Sequence, residues 1–164
     1  MQDMLKNEEK LSKLNKLINE KSFGRDGVCE FIPQREPFLM IDSVIEINVF
    51  NKKVICQKHI NSDEWYLHGH FPNNPVMPGV LMVESMAQAA SIIGEALTLE
   101  NDGIILFAGI EKCNFHDIAT VGDTLIIEAE ITNIRGPLII GNCCVKKNDK
   151  IIVDCKLKAF KKAL

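Results

Sequence analysis

Two titratable side chains, His70 and Glu84, stand out by their surroundings. Residues 68–88 read HGHFPNNPVMPGVLMVESMAQ, so a proline-rich approach leads from His70 into an apolar run. Each proline ring fixes φ at its own residue, and Pro72, Pro75 and Pro78 together stiffen that approach. A loop so restrained holds an imidazole in one orientation relative to the apolar run, as a general base requires. Glu84 is the only charged residue between His70 and Glu95, within the most hydrophobic stretch of the chain. Burial raises a carboxyl's pKa while the first turns of a helix favour the anion, so the sequence leaves its protonation state open. A carboxyl poised between the two forms suits proton donation. Gly79 supplies a third part: free N–H groups at a helix start can face a carbonyl oxygen, and glycine lets a substrate come close. Base, acid and oxyanion donor in one short segment are the constellation for proton abstraction next to a carbonyl.

The elements around this segment must position it. From Gly79 to about Leu97 the sequence has good helix formers and apolar residues on nearly every face, which predicts a buried helix. Pro78 suits its first turn, where a missing N–H costs nothing. Strand-like segments flank it at Met40–Phe50, Val54–Ile60 and Ile104–Ile110, then at 125–134, 138–146 and 151–160. Val153, Cys155, Leu157 and Ala159 alternate with Asp154, Lys156 and Lys158, and Asn148-Asp149 marks a turn before them. Short links favour an antiparallel meander, so the expected class is α+β, a sheet curled around a central helix. Residues 3–21 predict a further helix, with Leu11, Leu14, Leu17 and Ile18 as a narrow apolar stripe. It either docks on its own domain or a neighbour, or recruits a partner protein. A turn is expected over Gly24–Gly27, and Pro33 and Pro37 interrupt Phe31–Phe38.

The run GHFPNNPVMPGVLMVESMAQ closely resembles the active-site motif of the FabZ-type 3-hydroxyacyl-[acyl-carrier-protein] dehydratases, a hotdog-fold family. PFLMIDSV at 37–44, FAGI at 107–110 and VGDTL at 121–125 are similar to flanking segments of that family. The likeness spans about Ile32 to Phe160. It implies residues 1–24 as a helical extension and 25–164 as one hotdog domain. It also implies roles: His70 removes the α-proton of a β-hydroxyacyl thioester, Glu84 protonates the departing β-hydroxyl, and the Gly79 N–H polarises the thioester carbonyl. Phe71, Pro78 and Gln88 are implied as substrate-binding neighbours. The product is then a trans-2-enoyl thioester and water, with no metal or redox cofactor. The family brings His and Glu together across a homodimer interface and often builds trimers of dimers. Its substrate arrives on acyl carrier protein.

Several positions depart from that pattern. Gln34 stands where the family commonly has His, Ile105 and Leu106 replace aromatics ahead of FAGI, and His116-Asp117-Ile118 replaces basic residues followed by Pro. The carrier is acidic, so lost positive charge bears on its docking; Arg35, Lys112 or the C-terminal lysines are the candidates to compensate. Gln88 is either satisfied by backbone or a neighbour of Glu84 at i+4. Greasy lining for an acyl chain is on offer from Met77, Leu81, Met86, Phe107 and Ile110, which equally suit ordinary core. His68 and His70, at i and i+2, have metal-ligand spacing without a convincing third ligand; His59 and His116 read as surface residues. A dehydratase that also isomerises the double bond is a nearby alternative, although relatives of that type usually carry Asp where Glu84 stands. A non-catalytic acyl-binding protein is another.

Composition bounds the rest. One chain of 164 residues, 46% hydrophobic and 25% charged, reads as a single globular domain able to bury roughly 70% of its unfolded surface. Nineteen basic against 22 acidic residues give a net charge of −3, against a nucleic-acid surface. No apolar run is expected to reach the roughly 20 residues of a membrane span. The charged N-terminal stretch lacks a signal core, which points to the cytoplasm. Six cysteines without a CxxC pair then read as reduced, mostly buried thiols.

Overall fold

The computed structural model describes residues 2–99 and 103–163, with side chains from Glu8 onward. Two N-terminal helices, α1 (Gln2–Glu20) and α2 (Arg25–Phe31), flank the two-residue strand β1 (Phe23–Gly24). Strands β2 (Ser43–Asn48) and β3 (Lys53–His59) lead through a short 3-10 turn (Trp65–His68) to α3 (Gly79–Leu97). Four long strands complete the chain: β4 (Ile104–Phe115), β5 (Thr124–Arg135), β6 (Leu138–Lys147) and β7 (Lys150–Lys162). All pair antiparallel in one seven-stranded sheet, ordered β1-β2-β3-β5-β6-β7-β4.

Sequence chemistry accounts for the pattern. Leu125, Ile127, Ala129 and Ile131 of β5 are buried while Glu130 is exposed, the two-residue period of a half-buried sheet. Asn148 and Asp149 both take positive φ, 49° and 63°, as the tight turn between β6 and β7 demands. Register shifts at Phe107/Gly109, Glu111/Asn114, Ile131/Asn133 and Val145/Lys146 add the local twist that curls the sheet. Into that concavity α3 lays Met82, Met86, Ala89, Ile92 and Ile93, all buried, against β3, β5, β6, β4 and β7. The result is the hotdog architecture, an antiparallel sheet wrapped around one long helix.

Three expectations need correction. Gly24–Gly27 is not a turn: Gly24 ends β1 and Gly27 sits within α2, where a Cβ would lie 2.6 Å from the Phe23 ring. A seven-residue helix containing glycine leaves little periodicity to read. Strand β2 starts at Ser43 rather than Met40, because the Met40 N–H is taken at 2.8 Å by the Gln88 side chain instead of a strand. Finally, α3 has the length and apolar composition of a membrane span, yet 72% of that stretch is buried inside the sheet.

The predicted N-terminal helix forms as α1 and docks on its own chain, with Leu14 buried and Leu17 and Ile18 packed against the core. Cys56, Cys143 and Cys155 are buried and all six thiols are free. Burial pushes the Cys155 thiol up to about 12, so it behaves as a small apolar group. His59 is half-buried, its Nδ1 3.1 Å from Thr124 Oγ1, whereas His116 is exposed and pairs with Asp154.

One buried ion pair closes the far end of α3. Lys161 Nζ donates to Glu95 Oε2 at 2.7 Å, to the Thr98 carbonyl at 2.9 Å and to Thr98 Oγ1 at 3.0 Å. Removing Lys161 leaves the Glu95 carboxylate with only Lys10, 3.6 Å away, and Thr98 without its donor. Lys161→Ala is therefore expected to lower stability by about 3–5 kcal/mol, read by denaturant unfolding.

Candidate active site

The loop from His70 to Pro78 is fastened at several points. The His70 N–H donates to the Tyr66 carbonyl at 3.1 Å, and its own carbonyl accepts from Val76 N–H at 2.8 Å. Met77 N–H then donates to Ala119 O at 2.8 Å, and Val76 bridges Thr120, which sews the loop to the segment leading into β5. The ring Nδ1 lies 2.9 Å from Val76 O. A carbonyl can only accept, so Nδ1 is the donor in this contact and Nε2 is the ring nitrogen left outside it. Phe71, half exposed, stacks on the imidazole with centroids 4.1 Å apart. His68 is exposed, its Nδ1 3.2 Å from Trp65 O. Among the described residues no group of three or more metal-ligating side chains is arranged to hold an ion.

Pro78 caps α3 in an extended conformation. Hydrogen bonds back to its carbonyl begin at Leu81 (2.9 Å), so the N–H groups of Gly79 and Val80 precede the helical ladder. A Cβ at residue 79 would stand 2.7 Å from the Phe115 ring, so glycine is what lets β4 cross so near the helix start. Glu84 lies further along the same helix. Burial raises its carboxyl above the usual range, and the hydrogen bond from Gln88 partly offsets this. Gln88 itself is fully buried. Its Nε2 donates to Glu84 Oε1 at 2.9 Å and to Phe38 O at 2.8 Å, while its Oε1 accepts from Met40 N–H at 2.8 Å. Both readings of Gln88 therefore hold at once: backbone satisfies it, and it positions Glu84.

The Glu84 carboxyl opens onto two cavities. One of about 420 Å³ is lined by Val80, Val83, Phe107, Ile110, Cys113 and Phe115. The other, about 190 Å³, includes Gln34, Ser91, Ile105 and Phe107. Phe107 and Ile110 thus line the site as expected, whereas Met77, Leu81 and Met86 are core. Gln34 and Ile105 stand out in the sequence only as departures from the family pattern, and Ser91 only by standing two turns along α3 from Glu84. Gly79, Glu84 and Gln88 share α3, but His70 lines neither cavity.

Strand β4 is the edge beyond β7, and Leu106, Phe107, Ile110 and Phe115 along it are exposed. A long apolar edge beside a cleft is a surface that calls for covering. The candidate docking cations differ in their freedom. Arg35 is committed to the carbonyls of Cys29, Ile32 and Gln34, Lys156 and Lys158 pair with Glu111, and Lys161 is buried. Lys112 is exposed and has no carboxylate partner among the described residues.

Known proteins resemble this chain over most of its length. It is 39% identical over 139 residues to the 3-hydroxyacyl-[acyl-carrier-protein] dehydratase FabZ of Staphylococcus epidermidis, covering 84% of this chain and 94% of that one. The FabZ of Staphylococcus saprophyticus is 40% identical over 141 residues, with the same coverage. Among solved structures, the dehydratase heterocomplex ApeI:P from Xenorhabdus doucetiae superposes with a TM-score of 0.70 at 19% identity, covering 82% of this chain and 90% of that one. The TT0310 protein from Thermus thermophilus gives 0.59 at 14%, covering 79% and 100%. These two likenesses speak to the fold. The FabA-like domain matches residues 32–156, and the chain belongs to that family.

Proposed function

We propose that the protein is a (3R)-hydroxyacyl-[acyl-carrier-protein] dehydratase, a hydro-lyase of fatty-acid biosynthesis. The observation that carries the reading is Glu84, a half-buried carboxyl held by Gln88 at the wall of an apolar cleft, five residues beyond the free N–H groups of an α3 start. The thioester carbonyl accepts from the Gly79 N–H, which strengthens as enolate charge flows to that oxygen. Nε2 of His70 takes the α-proton. Glu84 gives its proton to the β-hydroxyl, the C–O bond breaks, the α,β double bond forms, and water leaves. Phe71 and Pro78 shape the approach to the imidazole and to the helix start. Gln88 fixes the acid.

A second copy completes the site. His70 of one copy serves the Glu84 of another, and the exposed apolar edge of β4 supports a homodimer. A trimer of dimers is the larger assembly we infer. Lys112, exposed on β4 next in sequence to Cys113 of the cleft wall, is the cation we infer for the acidic carrier. The reaction belongs in the cytoplasm, where buried thiols such as Cys56 and Cys143 stay reduced.

The test is dehydration of β-hydroxyacyl thioesters on carrier protein and on coenzyme A. Enoyl formation is expected; no turnover on either carrier would instead leave an acyl-binding protein, and a 3-enoyl product would add isomerisation. The acid also sets the alkaline side of the pH profile. The amide of Gln88 favours the Glu84 anion, so Gln88→Leu leaves burial unopposed and lifts the carboxyl's pKa further. The fall in kcat/KM as Glu84 loses its proton should then move to higher pH. The same change leaves the buried Met40 N–H without its acceptor and is expected to cost about 1–3 kcal/mol.

A further inference from the structure

The smaller cavity at Glu84 does not end on α3. A second cavity, of about 300 Å³, is lined by Lys10, Cys29, Arg35 and Glu95 and also by Gln34, Ser91 and Ile105, the residues that line the first. Shared walls make the two neighbours along α3. On α3 the positions Glu84, Ser91 and Glu95 are seven and then four apart, which is one face of a helix. A passage through both would run along a single stripe of α3 away from the reacting carboxyl. Eleven residues of helix measure about 16 Å. An extended hydrocarbon with C–C bonds of about 1.5 Å advances roughly 1.3 Å per carbon, so the stripe accommodates on the order of a dozen carbons.

Helix α1 stands at the far end. Buried Leu14 anchors it to the core, and Lys10 Nζ lies 3.6 Å from Glu95 Oε1. The other oxygen of Glu95 is held by Lys161, so the carboxylate is fixed from both sides. An apolar chain tip has nothing to offer such a charged pair and gains nothing by advancing into it. Helix α1 also precedes residues 32–156, the part of the chain matched to the family. We propose that α1 closes the distal end of the acyl passage, with the Lys10–Glu95 pair as its stop, and so sets the longest acyl chain this protein accepts. The proposal rests on the dehydratase reading and names a specificity element within it.

Two full-length variants test it. Chain-length profiles of kcat/KM are measured with (3R)-hydroxybutyryl, hydroxytetradecanoyl and hydroxyoctadecanoyl thioesters. Lys10 is partly exposed, so Lys10→Ala keeps the fold while opening the end wall. It is expected to raise the octadecanoyl-to-tetradecanoyl ratio by about tenfold, and Ser91→Phe, which narrows the shared wall, to lower the tetradecanoyl-to-butyryl ratio by about as much. An unchanged profile in Lys10→Ala overturns the proposal, whatever Ser91→Phe does. Absence of turnover by the wild type at every length would overturn the dehydratase reading instead. Cys29, partly exposed on the distal cavity, decides that case without catalysis. The hydroxytetradecanoyl thioester should slow its alkylation by iodoacetamide, read on the Cys29 peptide, more in the wild type than the octadecanoyl one does. In Lys10→Ala the two should protect equally. Equal protection already in the wild type, or none from either, would contradict a stop at α1.

Discussion

Replacing Glu84 with glutamine is expected to lower kcat by about 10²–10⁴-fold, the range that a positioned general acid supplies. Shape and burial are retained, because glutamine still offers an oxygen to the Nε2 of Gln88. Folding and dimerisation should therefore be preserved, and substrate affinity should change little. What disappears is the proton that turns a departing hydroxide into water. The residual rate should also lose its alkaline limb, since no group in that position titrates. A variant that kept the wild-type rate would remove Glu84 from the chemistry.

His70→Ala is expected to cost about as much in kcat, by about 10²–10⁴-fold, for the complementary reason. With Nδ1 donating to Val76 O, only Nε2 can accept the α-proton, and alanine leaves no base at that place. The structural cost is small: one side-chain hydrogen bond of about 0.5–1.5 kcal/mol, on a loop that backbone bonds to Tyr66, Val76 and Ala119 hold independently. In the proposed site the Gly79 N–H still polarises the carbonyl, so binding should survive while the rate falls. Exchange of the substrate's α-hydrogen with solvent deuterium should be lost in His70→Ala.

Much of the architecture was legible because local rules and global packing agree. An apolar run entered by Pro78-Gly79 and apolar on every face has only the interior to occupy, and α3 fills it over its full predicted range. Strands β5 to β7 declare themselves by alternation and by Asn148-Asp149, whose positive φ few residue pairs accept so readily. By contrast α2 was hidden by its length and by Gly27, which is there because the Phe23 ring passes too close for a Cβ. Gln88 shows another limit. Its partners at Phe38 and Met40 lie 50 and 48 residues away, so its dual role exists only once the fold has formed. The base and the acid stand out in the sequence as residue types, and only the family resemblance implies that they meet. In the site proposed here their meeting depends on a second chain, and no periodicity within one sequence encodes that.

The central claim is that one site takes His70 from one copy and Glu84 from another. The direct measurement mixes two inactive variants, His70→Ala and Glu84→Gln, under conditions where dimers exchange subunits. A mixed dimer then carries one site with both groups intact and one with neither. With statistical pairing, activity should recover to about a quarter of the wild-type value. Activity that stays at the level of the separate variants, with subunit exchange demonstrated, would contradict a shared site.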